Sequence, residues 1–275
     1  MYRFPDTFLG RLKGKVAIVT GAGANGNGFG TGRAMATLFA GEGASVYLVD
    51  RDEAAAQGTL RHIEGIGGTA RAGIGDVTDQ ADCTRFVAEA VDGFGTVDIL
   101  VNNVGVASRS SGADTLDIHE WRRVIEVNLN SAVMMAAAAV PAMRAAGGGA
   151  IINIVSIAGM LAYGGLAYGA SKAAMIQLTR DLALAHGRDG IRVNAIAPGH
   201  IYTPLVEGLL PNSMREARRK AGPLGLEGDA WDVAHAALFL ASAEARFVTG
   251  TCLPVDGGVT AIGSLEAASL INGTE

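Results

Sequence analysis

The chain has two cysteines and seven prolines in 275 residues, and it lacks any apolar stretch of membrane-spanning length. Each shortage excludes a class of protein. Cys83 and Cys252 could form at most one bridge, and their spacing matches no metal site, so neither a disulfide scaffold nor a zinc module is available. Two free thiols in a reducing compartment are expected. No grouping of His, Asp and Glu has metal-ligand spacing either, so no metal is expected. A bilayer span needs roughly 20 consecutive apolar residues, and residues 1–15 lack the uninterrupted apolar core of a signal peptide. These absences predict a cytoplasmic protein with no membrane partner. Charge is also sparse: 22 basic against 27 acidic residues leave a net charge of −5, which offers nucleic acid no general attraction. No proline- or serine-rich linker and no internal repeat divides the chain.

Glycine is what the sequence has in excess, with 39 residues, roughly twice the usual share. The glycines fall at the ends of a repeating pattern in no strict period. Short apolar runs at residues 15–20, 44–50, 69–77, 97–105, 149–156 and 191–198 read as strands, followed by a short strand at 251–256. Helical patterns occupy 32–42, 52–66, 80–94, 118–146, 169–187 and 230–241, with Pro141 predicted to kink the longest. Alternation of this kind predicts right-handed crossovers and one parallel seven-stranded sheet covered by helices on both faces. The fold class is α/β, a single doubly wound Rossmann-type domain over residues 1–275. Residues 200–229, where the pattern loosens, are predicted to cover a substrate, and 259–275 form a C-terminal tail.

In such sheets ligands bind beyond the carboxyl ends of the strands, and here those ends carry the unusual residues. The first strand runs into "TGAGANGNGFGTG", residues 20–32, with six glycines where a nucleotide turn needs three. Packing of the following helix assigns the register: Gly32 for close helix–sheet contact, Gly30 for approach of a phosphate and Gly21 for the tight turn. Thr31 lies between them at the helix N-terminus, which offers N–H groups and a partial positive charge to a pyrophosphate. Residues 22–29 are then an extended arm, expected to fold over the adenosine end of a dinucleotide. Asp50 ends the second strand, where a carboxylate can accept hydrogen bonds from ribose hydroxyls and would repel a 2′-phosphate. Arg51 is the contrary indicator, since a guanidinium could meet that phosphate; Asp50 weighs more, and NAD is the expected cofactor. "YGASK" places Tyr168 and Lys172 on one helix face. A free tyrosine has a pKa of about 10, and a nearby ammonium is expected to lower it toward use as a base. Ser156 ends the neighbouring strand, and Asn128 is a polar residue in an apolar helix.

These residues resemble the short-chain dehydrogenase/reductase family from about residue 14 to 258. The resemblance is carried by the glycine loop, "DV" at Asp76–Val77, "NNVG", Asn128, Ser156, "YGASK", "PGHIYT" and "VDGG". It implies Tyr168 as general acid/base, Ser156 as the residue that positions the reacting oxygen, and Lys172 as ligand of the nicotinamide ribose. Asn128 would hold a water that relays protons from Lys172. Asp76 and Val77 would contact adenine, and Asn103 to Gly105 the adenosine-side ribose. Pro198, Ile201 and Thr203 would meet the nicotinamide. The family also implies a homo-oligomer, dimer or tetramer, through helices 118–146 and 169–187. The chain departs from the pattern in four places. Eight residues separate Gly21 from Gly30 where about three are common, and "NNVG" replaces NNAG. The segment 156–168 is about one residue short, and the tail is long, expected to close the site or meet a neighbouring subunit.

The activity implied is an NAD-dependent alcohol dehydrogenase or ketone reductase. Two alternatives are a 3-oxoacyl-thioester reductase, for which "REARRK" at 215–220 could hold an acidic carrier, and a catalytically silent NAD-binding regulator. A solvated helix face also explains "REARRK". Leu161, Tyr163, Ile201, Tyr202, Leu205, Leu209, Leu210 and Met214 suggest a largely apolar or aromatic secondary alcohol as the small-molecule substrate. His200 could contact substrate or cap its loop, while His62, His119, His186 and His235 read as helix-surface residues.

Overall fold

The strand residues alternate between two helical layers, which is why the central runs are apolar throughout. The computed structural model describes residues 8–24, 28–109, 112–204, 206–207 and 211–273. The strands are β1 (Val16–Thr20), β2 (Ser45–Asp50), β3 (Thr69–Ile74), β4 (Ile99–Asn102), β5 (Gly149–Ile154), β6 (Ile191–Pro198), the short β7 (Ile201–Tyr202) and β8 (Gly228–Asp229), and β9 (Cys252–Val255). Seven of them form one parallel sheet in the order β3-β2-β1-β4-β5-β6-β9, while β7 and β8 pair separately. Strand order reverses between β1 and β4, so the ends of these two strands border the crevice where ligands bind.

The helices are α1 (Thr31–Gly41), α2 (Glu53–Gly65), α3 (Gln80–Phe94), α4 (Ile118–Ile125), α5 (Ser131–Ala145), α6 (Leu166–His186), α7 (Asn212–Lys220), α8 (Ala230–Ala241) and α9 (Ser264–Asn272). Ala17, Val19, Val46, Leu48, Ile99 and Val101 pack with α1, α2 and α8. The intervening Ile18, Tyr47, Val49 and Leu100 pack with α3 and α5 on the other face. Burying each large apolar side chain contributes about 1.5–3 kcal/mol, so the two faces hold the sheet from both sides.

Two helical expectations shift. α6 begins at Leu166, ahead of the expected residue 169, which brings Tyr168 into its first turn. In the stretch 118–146, α-helical hydrogen bonding breaks at a π turn, Glu126–Asn130, and not at Pro141. Pro141 lies on the exposed side of α5, where water can serve the carbonyl it leaves unpaired. By length and composition the helical run Ile118–Ala145 is apolar enough to cross a membrane, although charged and polar residues interrupt it. Its buried side packs on α3, β4 and β5. In the tail, α9 packs against α7.

In the turn from β1 to α1, Gly21 and Gly32 are required by local sterics. Gly21 has φ +62°, a left-handed conformation in which a side chain is strained. A Cβ on Gly32 would overlap the Gly21 carbonyl oxygen and come within 2.7 Å of Asn103 Nδ2. Gly30, the N-cap of α1, instead faces open space, with only Ala24 Cβ at 4.0 Å. Asn103 ties the turn: its N–H donates to Thr20 Oγ1 (3.0 Å), and its Nδ2 donates to the carbonyls of Thr20 and Gly21 (3.1 Å each). Its Oδ1 accepts from Thr31 Oγ1 at 2.7 Å. A Gly32→Ala variant is expected to lose about 1–3 kcal/mol from this overpacking. Chemical denaturation checks it, and an unchanged midpoint would contradict the assigned register.

Candidate active site

Ser156 follows β5 and accepts the Ala158 N–H at 3.1 Å, which starts the short turn Ile157–Gly159. A Cβ on Gly159 would lie 2.7 Å from the Lys172 carbonyl carbon, so glycine lets α6 approach this turn. Tyr168 therefore comes close enough to Ser156 for the two hydroxyls to interact. Lys172, one turn further on, is 3% exposed and donates from Nζ to the Ile154 carbonyl at 2.9 Å. Its Nζ stands 5.7 Å from the centre of the Tyr168 ring. The expected depression of the Tyr168 pKa by Lys172 is not what governs this chain. Burial pushes the phenol above its ordinary value, and the Ser156 hydrogen bond pulls against that rise. Burial likewise brings the Lys172 ammonium down to about 8. The low-dielectric setting thus holds both groups toward their neutral forms.

Asn128 is fully buried in the π turn. Its Oδ1 accepts the Val106 N–H at 2.7 Å, and its Nδ2 donates to the Val106 carbonyl (2.9 Å) and Ser171 Oγ (3.0 Å). Ser171 Oγ in turn donates to the Tyr168 carbonyl at 2.8 Å. These bonds make the side chain a brace between the β4–α4 loop and α6. A Cβ on Gly105 would sit 3.2 Å from Lys172 Nζ and 3.5 Å from Asn128 Oδ1, so the space over Gly105 reaches both.

A cavity of about 280 Å³ runs from this point across the sheet edge, lined by Gly21, Gly30, Thr31, Gly32, Asp50, Arg51, Asp76, Val77, Asn103, Gly105 and Thr203. Its fit to a dinucleotide rests on the open space before α1, on the carboxylate at the end of β2 and on the cradle over Gly105. Asp50 is pinned in place, with Oδ2 accepting the Gly23 N–H at 2.8 Å and Oδ1 the Asp52 N–H at 3.0 Å. Asp76 Oδ1 accepts from the backbone and hydroxyl of Thr78, both at 2.8 Å. Pro198, Ile201, Tyr168 and Lys172 do not line this cavity; it approaches Lys172 through Gly105. Ile201 lines a larger one of about 580 Å³ with His200, Leu224, Leu226 and Asp256, which holds none of Asn128, Ser156, Tyr168 and Lys172.

His200 fastens its own loop. Nδ1 meets the Arg218 carbonyl at 3.1 Å, an arrangement that makes it the protonated nitrogen, and Nε2 accepts from the Tyr163 hydroxyl. The "REARRK" run is only partly a solvated face. Arg215 and Arg218 converge on Glu227 at 2.9 and 3.4 Å, and the Arg215 guanidinium stacks 3.6 Å from the centre of the Tyr202 ring. Of the other histidines, His119 is exposed and His62, His186 and His235 are half-buried. Leu205, Leu209 and Leu210 lie outside the described residues, as do 25–27 of the arm. Among the described residues no group of three metal-ligating side chains occurs.

Sequence reasoning missed Ser108. It accepts the Tyr168 N–H at 3.2 Å and so caps α6, whose N-cap Gly165 has no side chain to do this. A helix start without its own cap was the available signal. It also missed Ser171, whose signal was its position three residues after Tyr168.

The chain has relatives among known proteins. A family model described as enoyl-(acyl carrier protein) reductase matches residues 24–260. The chain is 39% identical to 2,5-dichloro-2,5-cyclohexadiene-1,4-diol dehydrogenase LinX of Sphingobium indicum, over 90% of this chain and 97% of that one. It is 38% identical to cyclohexanol dehydrogenase of an Acinetobacter species, over 91% and 96%. Among solved structures it resembles 7α-hydroxysteroid dehydrogenase complexed with NADH and 7-oxo glycochenodeoxycholic acid, with TM-score 0.83, 36% identity and coverage of 90% and 95%. The chain belongs to the short-chain dehydrogenase/reductase family, and it is an oxidoreductase of that family.

The depressed Lys172 pKa has a measurable consequence. Below about pH 8 the ammonium is charged in the folded and unfolded chains alike, and its burial destabilises the fold. Between about pH 8 and 10.5 the folded chain has released a proton that the unfolded chain retains, so this destabilisation fades as pH rises. Lys172→Met is therefore expected to be more stable than wild type at pH 7 by on the order of 2 kcal/mol, with the difference shrinking toward pH 10. Urea denaturation at both pH values reads this; a pH-independent difference would refute it.

Proposed function

We propose that the protein is an NAD-dependent dehydrogenase of cyclic, largely apolar secondary alcohols, working reversibly on the corresponding ketones. The observation that carries this reading is the grouping of Ser156, Tyr168 and Lys172 beside Gly105, which lines one end of the dinucleotide cavity and lies against Lys172 Nζ. Bound there, the nicotinamide would accept or donate the hydride. Tyr168 takes the alcohol proton in oxidation and returns it in reduction. Ser156 holds the reacting oxygen against the Tyr168 hydroxyl. Lys172 holds the nicotinamide ribose and balances charge when the phenol ionises. Asn128 keeps α6 in register, and a proton relay through Lys172 passes beside its Oδ1.

The choice of NAD is supported by Asp50, fixed at the end of β2 where a 2′-phosphate would meet a negative charge, and by the NADH in the related steroid dehydrogenase structure. Arg51 lines the same cavity and remains the contrary indicator, so the cofactor preference rests on Asp50. The cyclic substrate class is supported by the cyclohexanol and cyclohexadiene-diol dehydrogenases among the relatives. Exposed Leu161, Tyr163 and Met214 suit such a ring. A homo-oligomer in the cytoplasm, with α5 and α6 at its interface, completes the reading; both helices expose apolar side chains, Val133 and Leu184.

A thioester reductase is the second reading, favoured by the description of the matching family model. Pairing of Arg215 and Arg218 with Glu227 weighs against it, because it leaves less free charge for an acidic carrier. Under the dehydrogenase reading, Tyr168→Phe lowers kcat by about 10²–10⁴ while NAD affinity stays near wild type. A Tyr168→Phe protein with full turnover would remove Tyr168 from the chemistry. Initial rates with the two cofactors test the other half: NAD is preferred over NADP, and Asp50→Ala narrows that preference. Equal rates of the wild type with both would overturn the role of Asp50.

A further inference from the structure

The glycine arm, residues 22–29, was expected to lie over the adenosine ribose. Among its described residues, Gly23 stands beside Asp50 at the end of β2. The Gly23 N–H donates to Asp50 Oδ2 at 2.8 Å, and a Cβ on Gly23 would come within 2.6 Å of Ala55 on α2. The far part turns to a different partner. A Cβ on Gly28 would overlap the Pro204 ring, so glycine there permits backbone contact with that proline. Phe29 packs on Trp231, with ring centres 4.8 Å apart, and edge-on to His62 at 5.1 Å. Arg33 lies over the same ring at 4.9 Å and donates from Nη1 to the Gly28 carbonyl at 3.2 Å.

Pro204 and Trp231 stand at the two ends of residues 200–229. β7 leads out to Thr203 and Pro204, and β8 leads back into α8 at Trp231. The two ends are paired, Ile201 with Gly228 and Tyr202 with Asp229. One short piece of the arm thus touches the exit and the return of this segment together. Thr203 lies between the two regions: it lines the dinucleotide cavity, and with Gly28, Phe29, Pro204 and Trp231 it also lines a neighbouring cavity of about 250 Å³.

We infer that Gly28 and Phe29 are positioning residues for the substrate side of the site. The arm divides its work: the Gly23 end serves the dinucleotide, and the Gly28–Phe29 end holds the base of residues 200–229, and with it Thr203 and α7. The effect on substrate rests on the dehydrogenase reading; the support of the segment does not.

The experiment uses the full chain and the variants Phe29→Ala, Phe29→Tyr, Gly28→Ala and Pro204→Ala. Tryptic cleavage within α7 is measured without ligand, NAD affinity by fluorescence titration, and KM and kcat with cyclohexanol as probe. Phe29→Ala is expected to speed cleavage in α7 and to raise the cyclohexanol KM, each by roughly fivefold or more. NAD affinity falls by less than the cyclohexanol KM rises, kcat stays within about twofold, and Phe29→Tyr, which keeps the ring, restores the cleavage rate and the KM. Gly28→Ala and Pro204→Ala disturb the same contact from opposite sides and give smaller effects in the same direction; they decide the matter if Phe29→Ala does not fold. Unchanged cleavage in the folded variants overturns the inference, as does a loss confined to NAD affinity. If wild type does not oxidise cyclohexanol but cleavage in α7 still rises, the substrate reading fails and the support stands.

Discussion

Asn128 is fully buried, and its amide is committed to Val106 on one side and Ser171 on the other. Through Ser171 that brace reaches the Tyr168 carbonyl, and through Val106 it fixes the loop that carries Gly105. A buried amide without partners costs about 1–3 kcal/mol per unmet bond, so the three elements are constrained to one relative position. The π turn at Glu126–Asn130 is what aims this side chain inward from an otherwise apolar helix. The brace thereby fixes the helix that carries Tyr168 and Lys172 against the loop that carries Gly105.

The same burial sets the electrostatics. Lys172 sits in a place that disfavours its charge, and Tyr168 in one that disfavours phenolate. The phenol stays neutral while the pair stands alone, whereas Lys172 keeps its charge below about pH 8, and a positive ring nearby favours the phenolate. The sheet supplies the other half of the arrangement. Its strands end where the order reverses, so the loops bearing Gly21, Asp50, Asp76 and Asn103 border one crevice.

Those parts that depend on local sterics were legible in the sequence. The strands read from their apolar runs because both faces are buried, and the register of Gly21, Gly30 and Gly32 read from the small residues of α1. Tyr168 and Lys172 share a face by spacing alone. What was not legible depends on contacts between distant segments. Ser108 caps a helix 60 residues away, and no local pattern marks it. The partners of Gly28 and Phe29 lie on residues 204 and 231, so the arm read as a nucleotide feature alone. Arg215 and Arg218 looked solvated because Glu227 lies beyond the helix that carries them. The expectation that Lys172 would lower the Tyr168 pKa counted one neighbour and left out burial, which here is the larger effect.

The central claim is that this chain moves a hydride between a carbinol carbon and NAD. Incubation with NAD and cyclohexanol deuterated at the carbinol carbon, followed by mass spectrometry of the reduced dinucleotide, tests it directly. The account predicts one deuterium in the nicotinamide and formation of the ketone. Reduced dinucleotide without deuterium, or no ketone across a panel of deuterated cyclic secondary alcohols, would contradict it.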